Sequence, residues 1–587
     1  MGRQRRYSRN RHHVPACDRT HTRNAKSPSM TTTNDTEATT TSDPATKRSI
    51  LLLFAGLMVT MLLSALDQTI FSTALPTIVG ELDGVNHMLW VTTAYILAST
   101  IMMPVYGKLG DLIGRKGLFI GAIAIFMLGS VIGGLAPDMT WLIIGRAVQG
   151  LGGGGLMILS QAIIADVVPA RERGRYMGAM GGVFALASVA GPLLGGWFTE
   201  SIGWRWAFWM NLPLGALAIF AAVMLLKLPK NNKTKPTIDV AGMILLAITS
   251  TAIVLVTTWG GTQYDWDSLI IIGLIALAIV AGISFVMVER AAAEPIMPLH
   301  MFKERNFILT TASGLITGIA MFGALAYMPT YLQMVTGVNA TLAGLLMIPM
   351  MGGLLLSSIT AGQLVSRTGR YKWLPLTGSI IVAIGLALLS TMTPALPIWV
   401  LCSYLAIMGI GLGMSMQILV LIVQNTFPNS QVGTATSSNN YFRQIGASIG
   451  TAVVGSLFIA RLTELLGTRL PAAAAGVTGD TNSLTPAAVR DLPDAVREII
   501  VGAYNDALAP VFLYMVPLVL ISAVLLAFVK EVPLATTIDR GEATETLNVR
   551  GEDDGTGDGD ADAEAEAHEL VTVSDQTGGT SIIRSQP

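Results

Sequence analysis

An aspartate and an arginine inside long apolar segments are the residues of this chain most able to do chemistry. Asp67 lies near the end of the first apolar segment, and Arg146 lies in the fourth. Burial disfavours a charged carboxylate and a nearby arginine favours it, so a carboxyl held between these effects can take up and release a proton. The pair is therefore predicted to couple proton movement to another process. A static buried ion pair or a polar helix cap is the alternative.

Other polar side chains in apolar segments are candidates for contacts with a ligand. Gln149 follows Arg146 by three positions, which places both on one face of a helix. Gln417 and Gln424 occur in a later apolar segment, and Arg443 opens the segment after it. All four are predicted to line a substrate cavity, although Arg443 could equally reach the cytoplasm along its aliphatic stem.

Metal, nucleotide and disulfide chemistry is not predicted. Cys17 lies in a basic head and Cys402 in an apolar segment, and no Cys/His group has the spacing of a zinc site. No GxxxxGK[ST] phosphate loop occurs, and the glycine run 152–155 lacks a following lysine. A chain without a cofactor or an ATPase must draw its energy from an ion gradient or from a partner.

The composition indicates that membrane-spanning helices position these residues. The chain has 587 residues, of which 52% are hydrophobic and 13% are charged, and its mean hydropathy is +0.58. A soluble domain carries about 25% charged residues. Apolar runs of about 20 residues, long enough to cross a bilayer, recur along most of the chain. A soluble enzyme with membrane anchors is thereby excluded, as is an outer-membrane barrel with alternating apolar and polar residues.

The sequence predicts an all-α polytopic membrane protein with fourteen transmembrane spans. They lie at 49–72, 88–107, 117–136, 140–165, 175–199, 205–228, 238–258, 268–288, 307–332, 341–365, 373–392, 397–424, 434–460 and 508–529. Spans 7 and 8 could instead form one re-entrant pair. Lysine and arginine follow spans 2, 4, 6, 8 and 10 but are absent from 79–87 and 260–268. By the positive-inside rule, both termini are cytoplasmic.

The long loop between spans 13 and 14 is an exception to this charge pattern. It covers 461–507 and contains Arg461, Arg469, Arg490 and Arg497. Long loops cross the membrane largely regardless of their charge, so the predicted topology stands. The end of the loop, 487–508, has amphipathic helical spacing and is predicted to lie on the outer surface.

An internal repeat divides the chain into two halves. The loops Gly107–Lys116 and Gly362–Lys372 share Gly, Leu, Gly and Arg at matching offsets, with Ser366 in the place of Asp111. Repeated halves with a substrate site between them are typical of secondary transporters. The predicted divisions are a tail at 1–48, a six-helix half at 49–228, a linker with spans 7 and 8 at 229–306, a six-helix half at 307–529 and an acidic tail at 530–587. Both tails are predicted to be disordered and cytoplasmic, and 1–29 could precede a true start at Met30.

Several motifs resemble those of one known family, the major facilitator superfamily. Gly107–Lys116 looks like its signature loop, Arg146–Gly150 like its helix 4 motif, and Gly191–Gly196 like its antiporter motif. Leu66–Pro76 and Trp204–Gly215 are similar to patterns of the 14-span drug:proton antiporter branch, the EmrB/QacA type. The resemblance implies the major facilitator fold, with two pseudo-symmetric six-helix halves and spans 7 and 8 inserted between them.

The resemblance also implies gating roles for residues of these motifs. Asp111 would pair with Arg115, and Asp166 would complete a charge relay that locks the two halves in an outward-facing state. Gly191 and Pro192 would form a hinge and an outer seal that hinders leakage. A solvated turn with local ion pairs is the alternative for the charged loop, because exposed pairs contribute little.

The predicted function is export of amphipathic or lipophilic small molecules across a bacterial plasma membrane in exchange for protons. Arg146 would tune the proton site at Asp67, and the proton gradient would replace a cofactor. One alternative is a dedicated exporter of one metabolite or lipid, with an envelope partner docked on loop 461–507. Another is a membrane sensor that transports nothing. Neither nucleic-acid binding nor enzymatic activity is predicted, since no nucleophile–base set or metal cluster is present in the sequence.

Overall fold

The computed structural model describes residues 44–82, 87–226, 237–261, 263–469, 489–490 and 492–536. Within these ranges the chain is helical, and its only extended pairing is an isolated bridge between Gly260 and Tyr264. Most of the predicted tails, 1–43 and 537–587, lie outside the described residues. Residues 470–488 and 491 of the outer loop predicted at 461–507 also lie outside the described residues.

Helices occupy all fourteen predicted positions. In chain order the spans are Pro44–Glu81, Met88–Ile113, Arg115–Gly134, Met139–Val167, Ala170–Trp197, Asn211–Leu225, Val240–Trp259, Leu269–Ala291, Arg305–Val335, Ile348–Thr368, Trp373–Leu389, Ile398–Thr426, Val432–Arg469 and Asp494–Ala527. Short helices at Trp206–Trp209 and Ala340–Leu346 precede spans 6 and 10. Among the described residues, thirteen helices are long and apolar enough to cross a bilayer, and span 11 is a shorter apolar helix of 17 residues.

Several helix contacts join spans 1–6 to spans 9–14, and the sequence repeat relates the two most extensive of them. Span 2 packs against span 13, and span 5 packs against span 10. Exchanging the halves converts the first contact into the second. The span 5–span 10 contact is a close backbone approach, because a Cβ on Gly362 would lie 2.1 Å from the Gly174 carbonyl oxygen. Small residues at such a contact let helices approach closely.

Spans 7 and 8 are two separate helices of 20 and 23 residues, which does not match a re-entrant pair. Each is long enough to cross a bilayer. Span 7 packs against span 8 and against spans 2 and 13, whereas span 8 leaves most of its apolar surface exposed. At the side predicted to be cytoplasmic, Lys108 of the loop Gly107–Lys116 pairs with Glu294 beyond span 8 at 2.6 Å. The inserted pair therefore covers the junction between the halves.

The last span begins earlier than the sequence predicts. Its helix starts at Asp494 rather than near 508, so the segment predicted to lie on the outer surface is largely the first part of span 14. Ile500, Tyr504 and Leu508 are buried in the core of the second half. The amphipathic spacing arises because this apolar face packs on neighbouring helices, including Phe458 of span 13, whose ring centre lies 4.7 Å from that of Tyr504.

The start of the predicted acidic tail is also part of the folded unit. The backbone amide of Lys530 donates to Asn306 Oδ1 at 2.9 Å, and that of Val532 donates to the Tyr371 hydroxyl at 2.7 Å. The amide of Arg171 donates to the carbonyl of Ala535 at 3.0 Å. Residues 530–535 therefore contact loops of both halves that the sequence predicts to be cytoplasmic.

Candidate functional site

Asp67 is the centre of a buried polar cluster in the first half. Its side chain is fully buried, and both of its oxygens accept hydrogen bonds. Oδ1 accepts from Gln149 Nε2 and from Asn211 Nδ2, each at 2.9 Å. Oδ2 accepts from Arg146 Nη1 in an ion pair. Spans 1, 4 and 6 thus meet at one carboxylate.

Arg146 is held by the same cluster and by two aromatic rings. Its Nη1 also donates to Gln149 Oε1 at 2.8 Å, and its Nε donates to the Val91 carbonyl at 3.3 Å. The guanidinium carbon lies 4.4 Å from the ring centres of both Phe71 and Tyr95. Cation–π contacts of a desolvated guanidinium are favourable and fix its plane. The Asp67–Arg146 pair is therefore neutral as a unit, oriented and sealed from water.

Two members of this cluster were not predicted from the sequence. Ser130 Oγ accepts from Gln149 Nε2 at 2.8 Å and from Asn211 Nδ2 at 3.1 Å. Asn211 lies within the Trp204–Gly215 pattern, which gives it no role of its own, yet it is the polar residue of span 6 that reaches Asp67. Ser130 carries no sequence signal, because a serine in an apolar helix ordinarily bonds to its own backbone.

A cavity between the two halves lies beside this cluster. It has a volume of about 100 Å³ and is lined by residues of both halves. Tyr95 lines the cavity and stacks on Arg146. The Tyr95 hydroxyl lies 3.1 Å from Ser64 Oγ, which also lines the cavity. One aromatic ring therefore separates the cavity from the guanidinium of the ion pair.

The structure brings only two of the four predicted cavity residues to this cavity. Gln417 and Arg443 line it. Gln149 does not, because its amide is taken up by Asp67, Arg146 and Ser130. Gln424 does not either: its Nε2 donates to the Gln161 carbonyl at 3.3 Å and to Thr436 Oγ1 at 3.2 Å. A glutamine in an apolar helix can bond to a neighbouring helix or line a cavity, and its position in the sequence alone does not distinguish these two roles.

A second cavity of about 260 Å³ adjoins the first. The two share Gln68, Phe322 and Gln444. The larger one extends between spans 2, 7, 9 and 13 to Gly260 and Gly261, in the connection between spans 7 and 8. By the predicted topology this connection lies on the outer side, so the cavities form a path from the cluster toward that side.

At the side predicted to be cytoplasmic, Arg115 joins two carboxylates. Its Nη2 donates to Asp111 Oδ1 at 2.7 Å, and its Nη1 pairs with Asp166. Nη1 also donates to the Ala162 carbonyl at 2.6 Å, and Nη2 to the Asn429 carbonyl at 3.1 Å. The side chains of Arg115 and Asp111 are almost completely buried. The three charged residues among the predicted gating residues therefore form one cluster, and the burial of Arg115 and Asp111 does not match a solvated turn. Their gating role stays a prediction.

Asp111 connects this cluster to the other half of the protein. Its carboxylate accepts from the backbone amides of Gly433 at 3.0 Å and Thr434 at 2.7 Å, and from Thr434 Oγ1 at 2.8 Å. These groups form the N-terminal turn of span 13, where free amides and the helix dipole favour an anion. A carboxylate of the first half thus caps a helix of the second half.

The second copy of the loop makes a similar contact without a carboxylate. Ser366 Oγ accepts from the backbone amide of Arg175 at 3.0 Å, in the first turns of span 5. Span 5 corresponds to span 13 in the repeat. The Arg171 guanidinium also donates to the carbonyls of Ser366 and Arg367 at 3.4 and 3.3 Å. The loss of the acid at this position therefore leaves Asp111 as the carboxylate that caps a helix of the other half.

The predicted seal residues lie where span 5 contacts span 1. A Cβ on Gly191 would lie 2.0 Å from Thr69 Oγ1, and one on Gly195 would lie 2.2 Å from Thr73 Oγ1. Thr69 Oγ1 donates to the Ala187 carbonyl at 2.9 Å. Pro192, next to this contact, is only partly buried and interrupts the hydrogen-bond pattern of the helix. The predicted seal on span 5 therefore packs against span 1, which is the helix that carries Asp67.

No group of three or more His, Cys, Asp or Glu side chains is placed to hold a metal ion in the described part of the chain. The buried carboxylates instead bond to arginine, amide and backbone donors.

Comparisons with known proteins agree with this architecture. The family model of the Major Facilitator Superfamily matches residues 57–451. An MFS-type transporter of Mycobacterium tuberculosis, named as uncharacterized, is 42% identical over 83% of this chain and 70% of its own length. The multidrug transporter protein MdtP of Bacillus subtilis is 37% identical over 82% of this chain and 94% of its own. The solved structure of the proton:xylose symporter XylE is similar in fold, with a TM-score of 0.55 at 14% identity over 83% of this chain and 97% of that chain.

Proposed function

This chain belongs to the major facilitator superfamily, and we propose that it exports amphipathic or lipophilic small molecules in exchange for protons. It is a multi-pass membrane protein related to transporters rather than to enzymes. The observation that carries the proposal is the buried Asp67–Arg146 pair, one aromatic ring away from a cavity between the halves. The multidrug name of the Bacillus subtilis relative supports an efflux function.

Protonation of Asp67 would change the energy of its surroundings. A buried pair is tolerable because each charge compensates the other, and removal of one charge leaves the other buried and unpaired. When Asp67 takes up a proton, Arg146 keeps its charge and loses its counterion. The side chains of the cluster must then rearrange. Because spans 1, 4 and 6 meet at this cluster, the rearrangement can move these helices relative to one another. Proton binding thus favours a different arrangement of the first half.

The Asp111 cap supports an assignment of the present state as closed on the cytoplasmic side. Its bonds to span 13 hold the halves together at that side. The cavities extend toward the connection between spans 7 and 8. In the proposed cycle, the substrate leaves to the outside and Asp67 is protonated from there. The protonated form reopens inward, a substrate binds, and the proton leaves to the cytoplasm.

The proposal places the protein in a bacterial plasma membrane with both termini in the cytoplasm. The proton gradient is the energy source, and each proton charge moving down the potential contributes about 2.3 kcal/mol per 100 mV. A dedicated exporter of one metabolite or lipid would use the same cycle. Loop 461–507 would dock an envelope partner in that case, and residues 470–488 and 491 of that loop lie outside the described residues.

Substitution of Gly191 by alanine is expected to reduce transport at least tenfold and to cost about 1–3 kcal/mol of stability. The added Cβ would lie 2.0 Å from Thr69 Oγ1, so spans 1 and 5 must separate. Gly196→Ala is the matched control, because a Cβ there meets nothing within 4 Å. Thermal unfolding of the purified variants and proton leak in vesicles are the measurements. Equal behaviour of the two variants would remove Gly191 from the seal.

Proton flux in inverted membrane vesicles tests the proposed function. The vesicles are acidified inside by respiration, and carboxyfluorescein, cholate, rhodamine 123 and tetraphenylphosphonium are added in turn. At least one compound is expected to dissipate the pH gradient in vesicles with the protein and not in vesicles without it. If no compound does so, and a deletion strain accumulates no metabolite or lipid, the transport proposal is wrong and the sensor alternative stands.

A further inference from the structure

The central cavity combines an apolar wall with uncharged polar side chains and one formal positive charge. Methionine and phenylalanine side chains of both halves form much of the apolar wall, namely Met61, Met103, Met157, Met180, Phe184, Met321, Phe322 and Met416. Such side chains adapt to ligands of different shape. Among the described residues that line the cavity, Arg443 is the only one with a charged side chain. The adjoining larger cavity has no charged residue in its described lining.

Arg443 differs from Arg115 and Arg146 because no carboxylate of the described chain pairs with it. Arg146 pairs with Asp67, and Arg115 pairs with Asp111 and Asp166. Arg443 has one hydrogen bond, from Nη2 to Asn440 Oδ1. A guanidinium has five N–H donors in a planar fork. Most of the donors of Arg443 are therefore available to a ligand in the cavity.

The environment of Arg443 fixes its position without neutralising it. Asn440 Nδ2 donates to Gln161 Oε1 at 3.0 Å and to the Thr436 carbonyl at 2.9 Å. These bonds turn Oδ1 of Asn440 toward the guanidinium. The arginine is thereby directed along span 13 into the cavity rather than toward the cytoplasm, which decides between the two alternatives left open by the sequence.

We propose that the transported substrate is an amphipathic anion whose carboxylate, sulfonate or phosphate binds Arg443. This proposal rests on the proposed export function and specifies its substrate class. A buried charge is stable when it is paired, and the planar fork of arginine matches two oxygens of such an anion. The apolar part of the substrate contacts the methionine and phenylalanine wall. A lipophilic cation would meet a like charge with no acidic residue among the described lining to offset it.

A binding measurement on the purified full-length protein tests the substrate class. Cholate and tetraphenylphosphonium are the anionic and cationic probes, and the readout is the rise in unfolding temperature with ligand concentration. Cholate is expected to stabilise the wild type, and Arg443→Gln is expected to weaken its apparent affinity about 10- to 100-fold. Arg443→Lys keeps the positive charge without the planar fork, and its affinity for cholate is expected to lie between those of the wild type and Arg443→Gln. Arg461→Gln, at an exposed arginine, is the matched control and should bind like the wild type.

Transport of two dyes with the same xanthene core separates this inference from the function on which it rests. Proteoliposomes with an imposed pH gradient are expected to move carboxyfluorescein, with a KM raised at least tenfold by Arg443→Gln, and to move rhodamine 123 poorly. Gradient-driven transport of rhodamine 123 alone, unaffected by Arg443→Gln, would overturn the anion proposal and leave proton-coupled export intact. If neither dye moves, the binding result decides the substrate class: equal stabilisation of the wild type and Arg443→Gln by cholate, or none, overturns it.

Discussion

Replacement of Asp67 by asparagine is expected to abolish proton-driven transport. Asparagine has nearly the same size, so Gln149 and Asn211 can still bond to its side-chain oxygen. It cannot take up a proton, so the two states that alternate in the proposed cycle are no longer linked to pH. Uphill export in proteoliposomes with an imposed pH gradient is the measurement, and the expected rate is that of liposomes without protein.

The same substitution is expected to cost about 3–5 kcal/mol of stability, because Arg146 remains buried without its counterion. The double variant Asp67→Asn/Arg146→Gln removes both charges and should regain most of this loss. It should not regain transport. Recovery of transport in the double variant would show that the single variant failed through misfolding, and full transport by Asp67→Asn itself would remove Asp67 from the coupling step.

Replacement of Asp111 by asparagine is expected to open the cytoplasmic side. The carboxylate binds two backbone amides and one hydroxyl of span 13, together with Arg115. Hydrogen bonds to charged groups contribute about 1.5–3 kcal/mol each, so loss of the charge should shift the closed–open equilibrium at least tenfold. Export driven by the gradient should fall correspondingly, because the closed state becomes rare.

The opening can be measured by alkylation of a cysteine placed behind the Asp111 contact. Ser437 suits this purpose because it is fully buried and contacts Gly107 across the two halves. The background carries Cys17→Ser and Cys402→Ser, so that the introduced cysteine is the only thiol. In this background, Ser437→Cys should be alkylated slowly, and adding Asp111→Asn should raise the alkylation rate at least tenfold. Asp138→Asn is the control, since Asp138 caps span 4 within one half. Equal rates with both substitutions would contradict the gating role.

The spans could be predicted because length and apolar composition suffice to identify a transmembrane helix. The family resemblance and the fold class are confirmed by the comparisons. The helix ends were less predictable. Span 14 begins at Asp494 because the apolar face of an amphipathic segment packs in the core of the second half. The spacing of its apolar residues could not distinguish a helix on the outer surface from one packed in the protein.

The candidate site shows the same limit at the level of side chains. A charged residue inside a span is a strong signal, and Asp67 and Arg146 do meet. Amides carry a weaker signal. Gln149 and Gln424 face helix contacts, whereas Asn211 and Ser130 join the Asp67 cluster without having been predicted. The rotation of each helix about its axis decides these outcomes, and it depends on packing between distant segments.

The most direct test of the central claim measures how pH shifts the conformational equilibrium, with no substrate needed. The measured quantity is the alkylation rate of Ser437→Cys divided by that of the unfolded protein at the same pH, because the reactive thiolate fraction itself falls on acidification. This relative rate is followed from pH 9 to pH 5 in the wild-type and Asp67→Asn backgrounds. If protonation of Asp67 favours the inward-open form, the rate should rise on acidification in the first background and stay constant in the second. The same rise in both backgrounds would show that another group senses the proton, and the coupling role of Asp67 would be wrong.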